Sequence, residues 1–227
     1  MLSQEEMKRA AGEYAAQLIK PGFVTGIGTG STVYYFIHAL AGRVKEGLDI
    51  KATVTSKQSA TLAQELGIII TDLNNIDNID ITVDGADEVD NKLQLIKGGG
   101  GALLQEKMVA AASHRLVIIA DDKKVVNRLG KFPLPVEVIP YGWKQTRKHI
   151  AGLNCTKIVL REKESIPFIT DHGHYILDCH FEEIEDPGQL SIQLNSIPGV
   201  VENGLFINMA SEIIIGKPDG TIHTISK

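Results

Sequence analysis

The sequence has few of the residues that build cross-linked, metal-bound or membrane-embedded proteins. Only two of its 227 residues are cysteines, Cys155 and Cys179, and there is no Cys-x-x-Cys pair, so neither a disulfide framework nor a zinc cluster is expected. No apolar run approaches the roughly 20 residues of a membrane span, and the polar stretch 1–10 lacks the apolar core of a signal peptide. We therefore expect a cytoplasmic protein with no membrane partner.

An excess of positive charge is also missing. The net charge is −5 and the pI is near 5.8, which argues against nucleic acid as the main partner. A net negative charge is still compatible with a local basic pocket. The hydrophobic content of 43% is sufficient for a substantial core. A chain of this length predicts one large domain or two modest ones.

Short apolar runs alternate with helical patterns over the first 120 residues. This alternation predicts an α/β fold with a Rossmann-like, mostly parallel sheet and helices on both faces. The predicted strands are 23–27, 52–55, 68–71, 79–83 and 114–120, and the predicted helices are 3–19, 32–44 and 58–66. A fourth predicted helix follows the glycines at 98–101, carries Glu106 about one turn from its start and ends near 112.

The composition changes at 131–140, where three prolines mark a crossover. Beyond it, strands alternate with only two helices, which predicts a smaller α+β domain of the ferredoxin-like kind. The predicted helices are 141–153 and 187–197, and the predicted strands are 157–161, 168–170 and 175–179, the last two forming a hairpin. A final hairpin, 211–215 with 221–225, returns to the first domain. We thus predict a catalytic domain of 1–131 with 207–227, and a small domain of 132–206 that provides the oligomer contact.

A glycine turn at 28–32 connects a strand to a helix. Backbone N–H groups at a helix start favour anions, and Ser31 and Thr32 add hydroxyl donors. The glycines at 26, 28 and 30 do not fit G-x-G-x-x-G, and no GK[ST] follows. A monophosphate site is the preferred interpretation, with a cofactor site and a purely structural turn as alternatives.

A second polar region, 80–107, combines acids, a lysine and consecutive glycines. Asp84 and Asp87 follow an apolar run, Lys97 precedes four glycines at 98–101, and Glu106 lies in a helical pattern. Each of these residues also has a purely structural interpretation. Asp is common in turns, a lysine beside a loop can be solvated, and a Glu near a helix start complements the helix dipole. Four glycines in a row are entropically costly, however, and allow a ligand to approach the backbone closely. We interpret the region as a catalytic centre for a small anionic metabolite.

The loops 28–32, 84–87 and 121–124 each follow a predicted strand. Ligands of open α/β sheets bind beyond the carboxyl ends of the strands, so these loops are predicted to share one cleft.

The histidines at 172, 174 and 180 lie around one predicted hairpin. Turn and surface positions are the preferred interpretation there, with a metal site as the alternative.

Several stretches of the sequence resemble type A ribose-5-phosphate isomerases. The similarity spans the whole chain, and its two acidic and glycine-rich blocks occur in the family's order. The matching stretches are GIGTGST (26–32), TSKQSATLAQELGI (55–68), DITVDGADEVD (80–90), KGGGGALLQEK (97–107), GKFPLPVEVIP (130–140) and PGVVENGLF (198–206).

The resemblance implies interconversion of ribose 5-phosphate and ribulose 5-phosphate through an enediolate, in the non-oxidative pentose phosphate pathway, without metal or organic cofactor. It implies that Glu106 moves the proton, that Asp84 and Asp87 handle ring opening and sugar hydroxyls, and that Lys97 faces the enediolate oxygens. It also implies a homodimer or homotetramer. The substrate-binding residues that it implies are Thr29, Gly30, Ser31, Thr32, Asp84, Gly85, Ala86, Asp87, Lys97, Gly98, Gly99, Gly100 and Lys124.

One departure from the family pattern concerns the basic pair. Residues 121–124 read DDKK, where the family more often has Ser before the lysine, so Lys123 could share the role of Lys124.

Two other functions are alternatives to the isomerase. A sugar-phosphate sensor would normally carry a DNA-binding helix-turn-helix, and no basic domain is expected before the first strand. An acyl- or coenzyme-A-transferase-like enzyme with a nucleophilic glutamate would need a larger nucleotide pocket.

Overall fold

The computed structural model describes all residues, 1–227, and contains six α-helices and fifteen strands. The helices are α1 (Gln4–Ala16), α2 (Ser31–Lys45), α3 (Lys57–Glu65), α4 (Leu103–Ala111), α5 (Trp143–Ala151) and α6 (Pro187–Asn195). The strands are β1 (Val24–Ile27), β2 (Lys51–Val54), β3 (Ile81–Gly85), β4 (Glu88–Val89), β5 (Leu95–Ile96), β6 (Leu116–Asp121), β7 (Leu134–Val138), β8 (Lys157–Leu160), β9 (Glu162–Lys163), β10 (Ile166–Pro167), β11 (Tyr175–His180), β12 (Val200–Asn203), β13 (Leu205–Phe206), β14 (Glu212–Gly216) and β15 (Ile222–Ser226). No helix has both the length and the apolar character needed to cross a membrane.

The chain divides into two compact units. The first consists of Met1–Ala86, Gln105–Val125 and Asn208–Lys227, and the second of Asp87–Leu104 and Val126–Ile207. By packing, the segments 87–104 and 126–131 thus group with the second unit. The functional division into a catalytic and an oligomer-contact domain stays a prediction.

The first unit is built on a six-stranded sheet with the order β15-β14-β6-β3-β1-β2. All neighbours pair in parallel except β15, which is antiparallel to β14. Ile27, Val83 and Val117, which are register partners on β1, β3 and β6, pack into one core with residues of α1 and α2. This is the predicted Rossmann-like, mostly parallel sheet, and the final hairpin does return to it.

The second unit contains a four-stranded antiparallel sheet with the order β12-β7-β11-β8. The strands of this sheet and the two helices follow one another as β7-α5-β8-β11-α6-β12, the ferredoxin-like order that the sequence predicts, with the two-stranded hairpin β9-β10 inserted between β8 and β11. Val136, Leu177, Ile150 and Leu194 join the sheet to the two helices in one buried core. A small three-stranded sheet, β13-β5-β4, completes the unit.

Two predicted strands are wrong. The segment 68–71 makes a single bridge, Ala52 with Ile70, and Ile69 within it is 80% exposed. The segment 168–170 is not a strand pairing with β11, whose neighbours are β7 and β8. Its Thr170 instead closes a turn, donating its N–H to the carbonyl oxygen of His174 at 2.9 Å.

Candidate active site

The strand order of the first unit creates a crevice at the carboxyl ends of β1 and β3. From β1 the chain passes to β2 on one side, and later returns to β3 on the other side. Such a reversal is where ligands of open α/β sheets bind. Since β3 lies between β1 and β6 and the three strands are parallel, residues 28–30, 84–86 and 122–124 of this unit lie at the same, carboxyl-terminal end of the sheet. That the three predicted loops share one cleft stays a prediction.

Asp84 lies within β3 and not in the turn that follows, which corrects the predicted strand end at 83. Its carboxylate is 1% exposed, and Oδ1 accepts N–H groups from Thr29 at 3.1 Å and Gly85 at 2.7 Å. A Cβ on Gly28 would lie only 2.1 Å from Oδ1. Gly28 is therefore required so that the end of β1 and the Asp84 carboxylate can approach each other.

Gly28→Ala is expected to displace the Asp84 carboxylate, because backbone and β-carbon at this position cannot move aside easily. We expect kcat/KM for the reaction proposed below to fall about 100-fold, the cost of misplacing a reacting group by about 1 Å. The control is Gly42→Ala on α2, where a Cβ meets nothing within 4 Å. Steady-state kinetics of both variants test this, and equal activity would show that Asp84 tolerates displacement.

A buried hydroxyl cluster centred on Thr29 holds the 28–30 loop, and the sequence does not predict it. Thr29 Oγ1 lies 2.7 Å from Thr55 Oγ1 and 2.8 Å from Ser56 Oγ, while Ser59 Oγ donates to the carbonyl oxygen of Gly28 at 2.7 Å. The pattern of 55–68 predicts a strand end and a helix, and the stretch matches the family, but it does not predict these contacts. In this structure the Thr29 hydroxyl thus positions the loop.

The N-terminus of α2 follows this loop directly. Gly30 has φ +124° and no side chain caps the helix, whose backbone bonding begins with Tyr34 N–H to the carbonyl oxygen of Gly30 at 3.0 Å. Ser31 is exposed and Thr32 is largely buried. The N–H groups of 31–33 are therefore oriented as an anion site requires.

Glu106 lies on the buried face of α4, which the sequence had left undecided. It is 5% exposed, and its neighbours one turn away, Leu103, Val109 and Ala110, are also buried, whereas Met108 is 51% exposed. Residues three or four apart share a helix face. Glu106 is therefore a buried acid and not a solvated one.

The direction of α4 places Glu106 at the same sheet edge as Asp84. Near its start, Gln105 Nε2 donates to the carbonyl oxygen of Val54, the last residue of β2, at 3.1 Å. Just after its end, Ser113 Oγ lies 2.7 Å from Thr82 Oγ1 on β3. The helix thus runs antiparallel to the strands, with its first turn at their carboxyl ends. Thr82 and Asp84 share a face of β3, so Asp84 projects to the side on which α4 lies.

The basic pair at the end of β6 lies in a short 3-10 turn, Asp122–Lys124. Asp121 caps this turn by accepting the N–H of Lys123 at 3.1 Å, and Asp122 pairs with Lys217. The Lys123 side chain is exposed, whereas Lys124 is half-buried. Of the two, Lys124 is therefore the better candidate to face a ligand.

In the second unit, Asp87 is bonded to the glycine loop. Gly99 donates its N–H to Asp87 Oδ2 at 2.7 Å, and the N–H of Asp87 donates to the carbonyl oxygen of Ile96 at 2.8 Å. A Cβ on Gly99 would lie 2.6 Å from Asp87 Oδ1, and Gly98 has φ +102°. Both glycines are thus needed, one for close approach and one for its backbone conformation.

Lys97 is not a solvated lysine. It is 2% exposed, and its Nζ lies 5.5 Å from the centroid of the Phe206 ring. Its backbone N–H donates to the carbonyl oxygen of Gly204 at 2.9 Å. Aromatic faces attract ammonium groups, so Phe206 helps to retain a buried positive charge beside the loop.

Glu88 is a buried acid that anchors the backbone and that the sequence did not single out. It is 4% exposed and accepts N–H groups from Gly130 at 2.8 Å and Phe132 at 2.6 Å. Burial raises its pKa, and the nearby charge of Asp87 acts in the same direction. Its two backbone bonds identify it as a structural anchor of the 130–132 segment.

Two further residues of the second unit, Arg161 and Asp178, were missed. Arg161 donates to the carbonyl oxygens of Gly98 and Gly99, and also to the carboxylate of Asp178. No local pattern marks this contact, because Arg161 is 62 and 63 residues away from its loop partners. Of the histidines, His174 lies 2.9 Å from Glu137 Oε1 and takes part in the turn at 170–174.

Comparison with known proteins identifies one family. Residues 51–220 match the family model for ribose 5-phosphate isomerase A (phosphoriboisomerase A). The ribose-5-phosphate isomerase A of Bacillus anthracis is 56% identical over 216 residues, which are 95% of this chain and 98% of that protein. A solved D-ribose-5-phosphate isomerase in complex with phospho-erythronic acid is 41% identical with a TM-score of 0.96, and all of both chains is covered. The Plasmodium falciparum enzyme is 36% identical with a TM-score of 0.95, covering 98% of this chain and 99% of that one. The chain therefore belongs to the ribose 5-phosphate isomerase A family.

Proposed function

We propose that this protein interconverts D-ribose 5-phosphate and D-ribulose 5-phosphate through an enediolate, as a step of the non-oxidative pentose phosphate pathway. The observation that carries the proposal is the buried Glu106 carboxylate, which lies on the same side and at the same edge of the sheet as Asp84. An aldose–ketose isomerase needs one such carboxylate as a base. Family membership over nearly the whole chain supports the choice of substrate.

The reaction moves one proton between adjacent carbons without net oxidation. Glu106 takes the C2 proton of the open-chain aldose, and the C–H electron pair forms the C1–C2 double bond while negative charge moves to O1. Glu106 then returns the proton to C1, as a proton moves from O2 to O1 and the C2 carbonyl forms. A single carboxylate is restored at the end, so no redox group is consumed.

The remaining roles are carried over from the family. Asp84 and Asp87 are proposed to assist ring opening and to hold the sugar hydroxyls. Lys97, with the N–H groups of 98–100, is proposed to stabilise the developing oxyanion. Since Lys97 is buried, its charge interacts more strongly than a solvated ammonium group would.

The phosphate group is proposed to bind remote from the reacting carbons. At the N-terminus of α2, the residues Thr29–Thr32 are proposed to offer backbone N–H groups and the exposed Ser31 hydroxyl to an anion, and Lys124 is the proposed nearby cation. Binding energy gained there orients the reacting end of the sugar.

The direct test uses purified protein with ribose 5-phosphate and follows formation of ribulose 5-phosphate. We expect turnover that needs no added cofactor and reaches equilibrium from either sugar phosphate. A folded, pure protein that produces no ketose would contradict the proposed function. Ribose without phosphate serves as the comparison substrate, and we expect it to react poorly because the phosphate binding energy is absent.

Removing metal ions is expected to leave the reaction rate unchanged. The proposed steps use a carboxylate as the base, and a lysine ammonium group and backbone N–H groups to stabilise the oxyanion. No step therefore requires a metal. Activity is compared before and after exhaustive treatment with a chelator. Loss of activity that added divalent metal restores would refute the metal-free mechanism.

Two further properties are proposals. The protein is proposed to act in the cytoplasm as a homodimer or homotetramer that associates through residues 132–206. Exposed apolar side chains of the second unit, Tyr141 at 93% and Ile192 at 67%, support a contact there. Light scattering of the purified protein would give the mass, and a monomer at enzyme-assay concentration would contradict this proposal.

A further inference from the structure

We infer that Arg161, held by Asp178, is a positioning residue that sets the orientation of the glycine loop at 98–100. It does so from the side opposite Asp87. The inference rests on the proposed function, because the loop is taken to serve the enediolate. Arg161 would act through the loop and not by touching the substrate.

The side chain of Arg161 is fixed at both ends of its guanidinium group. Its Nε donates to Asp178 Oδ2 at 3.0 Å, and Nη2 donates to Asp178 Oδ1. Its Nη1 donates to the carbonyl oxygens of Gly98 at 2.8 Å and Gly99 at 3.1 Å. Both charged side chains are largely buried, with 14% and 21% of their surfaces exposed. A planar guanidinium with five N–H donors suits this geometry, whereas a lysine cannot reproduce it.

The two carbonyl bonds determine where the loop's N–H groups point. In a planar trans peptide, the N–H is directed opposite to the C=O. Because the carbonyl of Gly98 faces Arg161, the N–H of Gly99 points away from it, and this N–H indeed donates to Asp87 Oδ2 at 2.7 Å. By the same geometry, the N–H of Gly100 is directed away from Arg161.

A loop of consecutive glycines needs such an external support. Each glycine loses more conformational entropy on ordering than any other residue. Donors stabilise developing charge efficiently only when they are already oriented before reaction. Gly101 at the far end of the loop also packs against the Phe168 ring, where an added Cβ would lie 2.5 Å from the ring atoms. The loop is thus held at its carbonyls and at its end.

A purely architectural role for Arg161 predicts a different pattern. The Arg161–Asp178 pair alone would tie the end of β8 to β11, and its loss would lower stability. The two bonds to the loop carbonyls add a connection that the sheet does not need. Kinetics and unfolding must therefore be measured on the same variants.

The test compares Arg161→Met with Arg128→Met. Arg128 forms an exposed ion pair with Glu183, with side-chain exposures of 63% and 54%, and serves as the matched control. For Arg161→Met we expect kcat to fall about 10- to 100-fold while KM changes less than about threefold, because the donors act on the transition state. Binding of phospho-erythronic acid, whose carboxylate is anionic, is expected to weaken in parallel. Added guanidinium ion should restore part of kcat.

Two variants keep the inference testable if Arg161→Met does not fold. Arg161→Lys retains the charge but not the fork, and Asp178→Asn weakens the support of Arg161. For both variants we expect kcat to fall, but by less than in Arg161→Met. Their unfolding temperatures are expected to lie within a few degrees of that of the wild type.

The inference is overturned if folded Arg161 variants keep wild-type kcat, if only KM changes, or if the activity loss simply follows the loss of stability. The wild-type assay separates this from the proposed function. An inactive wild-type protein would remove the proposed function and the inference together. An active wild-type protein with unaffected Arg161 variants would remove the inference alone.

Discussion

Glu106→Gln is expected to give a folded protein that binds ribose 5-phosphate but turns it over about 10³-fold more slowly or worse, because the amide cannot accept the C2 proton. Gln has nearly the shape of Glu, and position 106 is only 5% exposed, so packing should be preserved. Turnover is measured by ketose formation. Exchange of the C2 proton with deuterated water gives an independent measure of proton removal, and it should be lost in parallel.

The matched control is Glu65→Gln at the exposed end of α3. It makes the same chemical change in a helix of the same unit and should retain wild-type kinetics. Near-normal turnover in Glu106→Gln would exclude Glu106 as the base. Loss of substrate binding together with turnover would point instead to a role in holding the sugar.

Lys97→Met should lower kcat about 100- to 1,000-fold with little effect on KM, because the ammonium charge is proposed to stabilise the enediolate more than the bound sugar. Methionine has a similar volume to lysine. Because Lys97 is 2% exposed, the substitution removes a buried ammonium group and not a solvated one. Steady-state kinetics and thermal unfolding are measured on the same preparation.

Lys92→Met provides the comparison, since Lys92 is exposed in the same unit. Its kinetics should equal those of the wild type. A Lys97→Met variant whose only change is a higher KM would show that Lys97 contributes uniform binding and does not act on the transition state. A large fall in unfolding temperature would mean that the lysine is mainly structural.

Local patterns predicted much of the fold because parallel strands and helices differ in hydrophobic period and length. The runs that became β1, β3 and β6 were recognised, and so was the ferredoxin-like order around α5 and α6. The strand expected at 68–71 failed, because an apolar run does not reveal whether a neighbouring strand is available along its length. Ile69, in the middle of this continuous apolar run, is 80% exposed.

The candidate site shows the same division. The family motifs singled out Asp84, Asp87, Lys97 and Glu106, and the residue types agree with proton transfer beside a carbonyl. The sequence does not predict which face of α4 carries Glu106. In the short helix LLQEKMVAA, apolar residues occur around the whole circumference, so no single face is marked as buried. Which of Lys123 and Lys124 is buried was equally undetermined by two identical adjacent residues.

By itself, the sequence determined the family and the two kinds of fold, and it supplied the candidate site residues as predictions, because motif order and hydrophobic period are properties of neighbouring residues. Only the tertiary structure decided how those residues are held. Gly28 is needed because β1 and β3 are adjacent, so that a Cβ would meet the Asp84 carboxylate 2.1 Å away. Arg161 reaches the loop at 98–99 from 62 residues along the chain. Contacts of this kind depend on the paths of distant strands, and no local pattern encodes them.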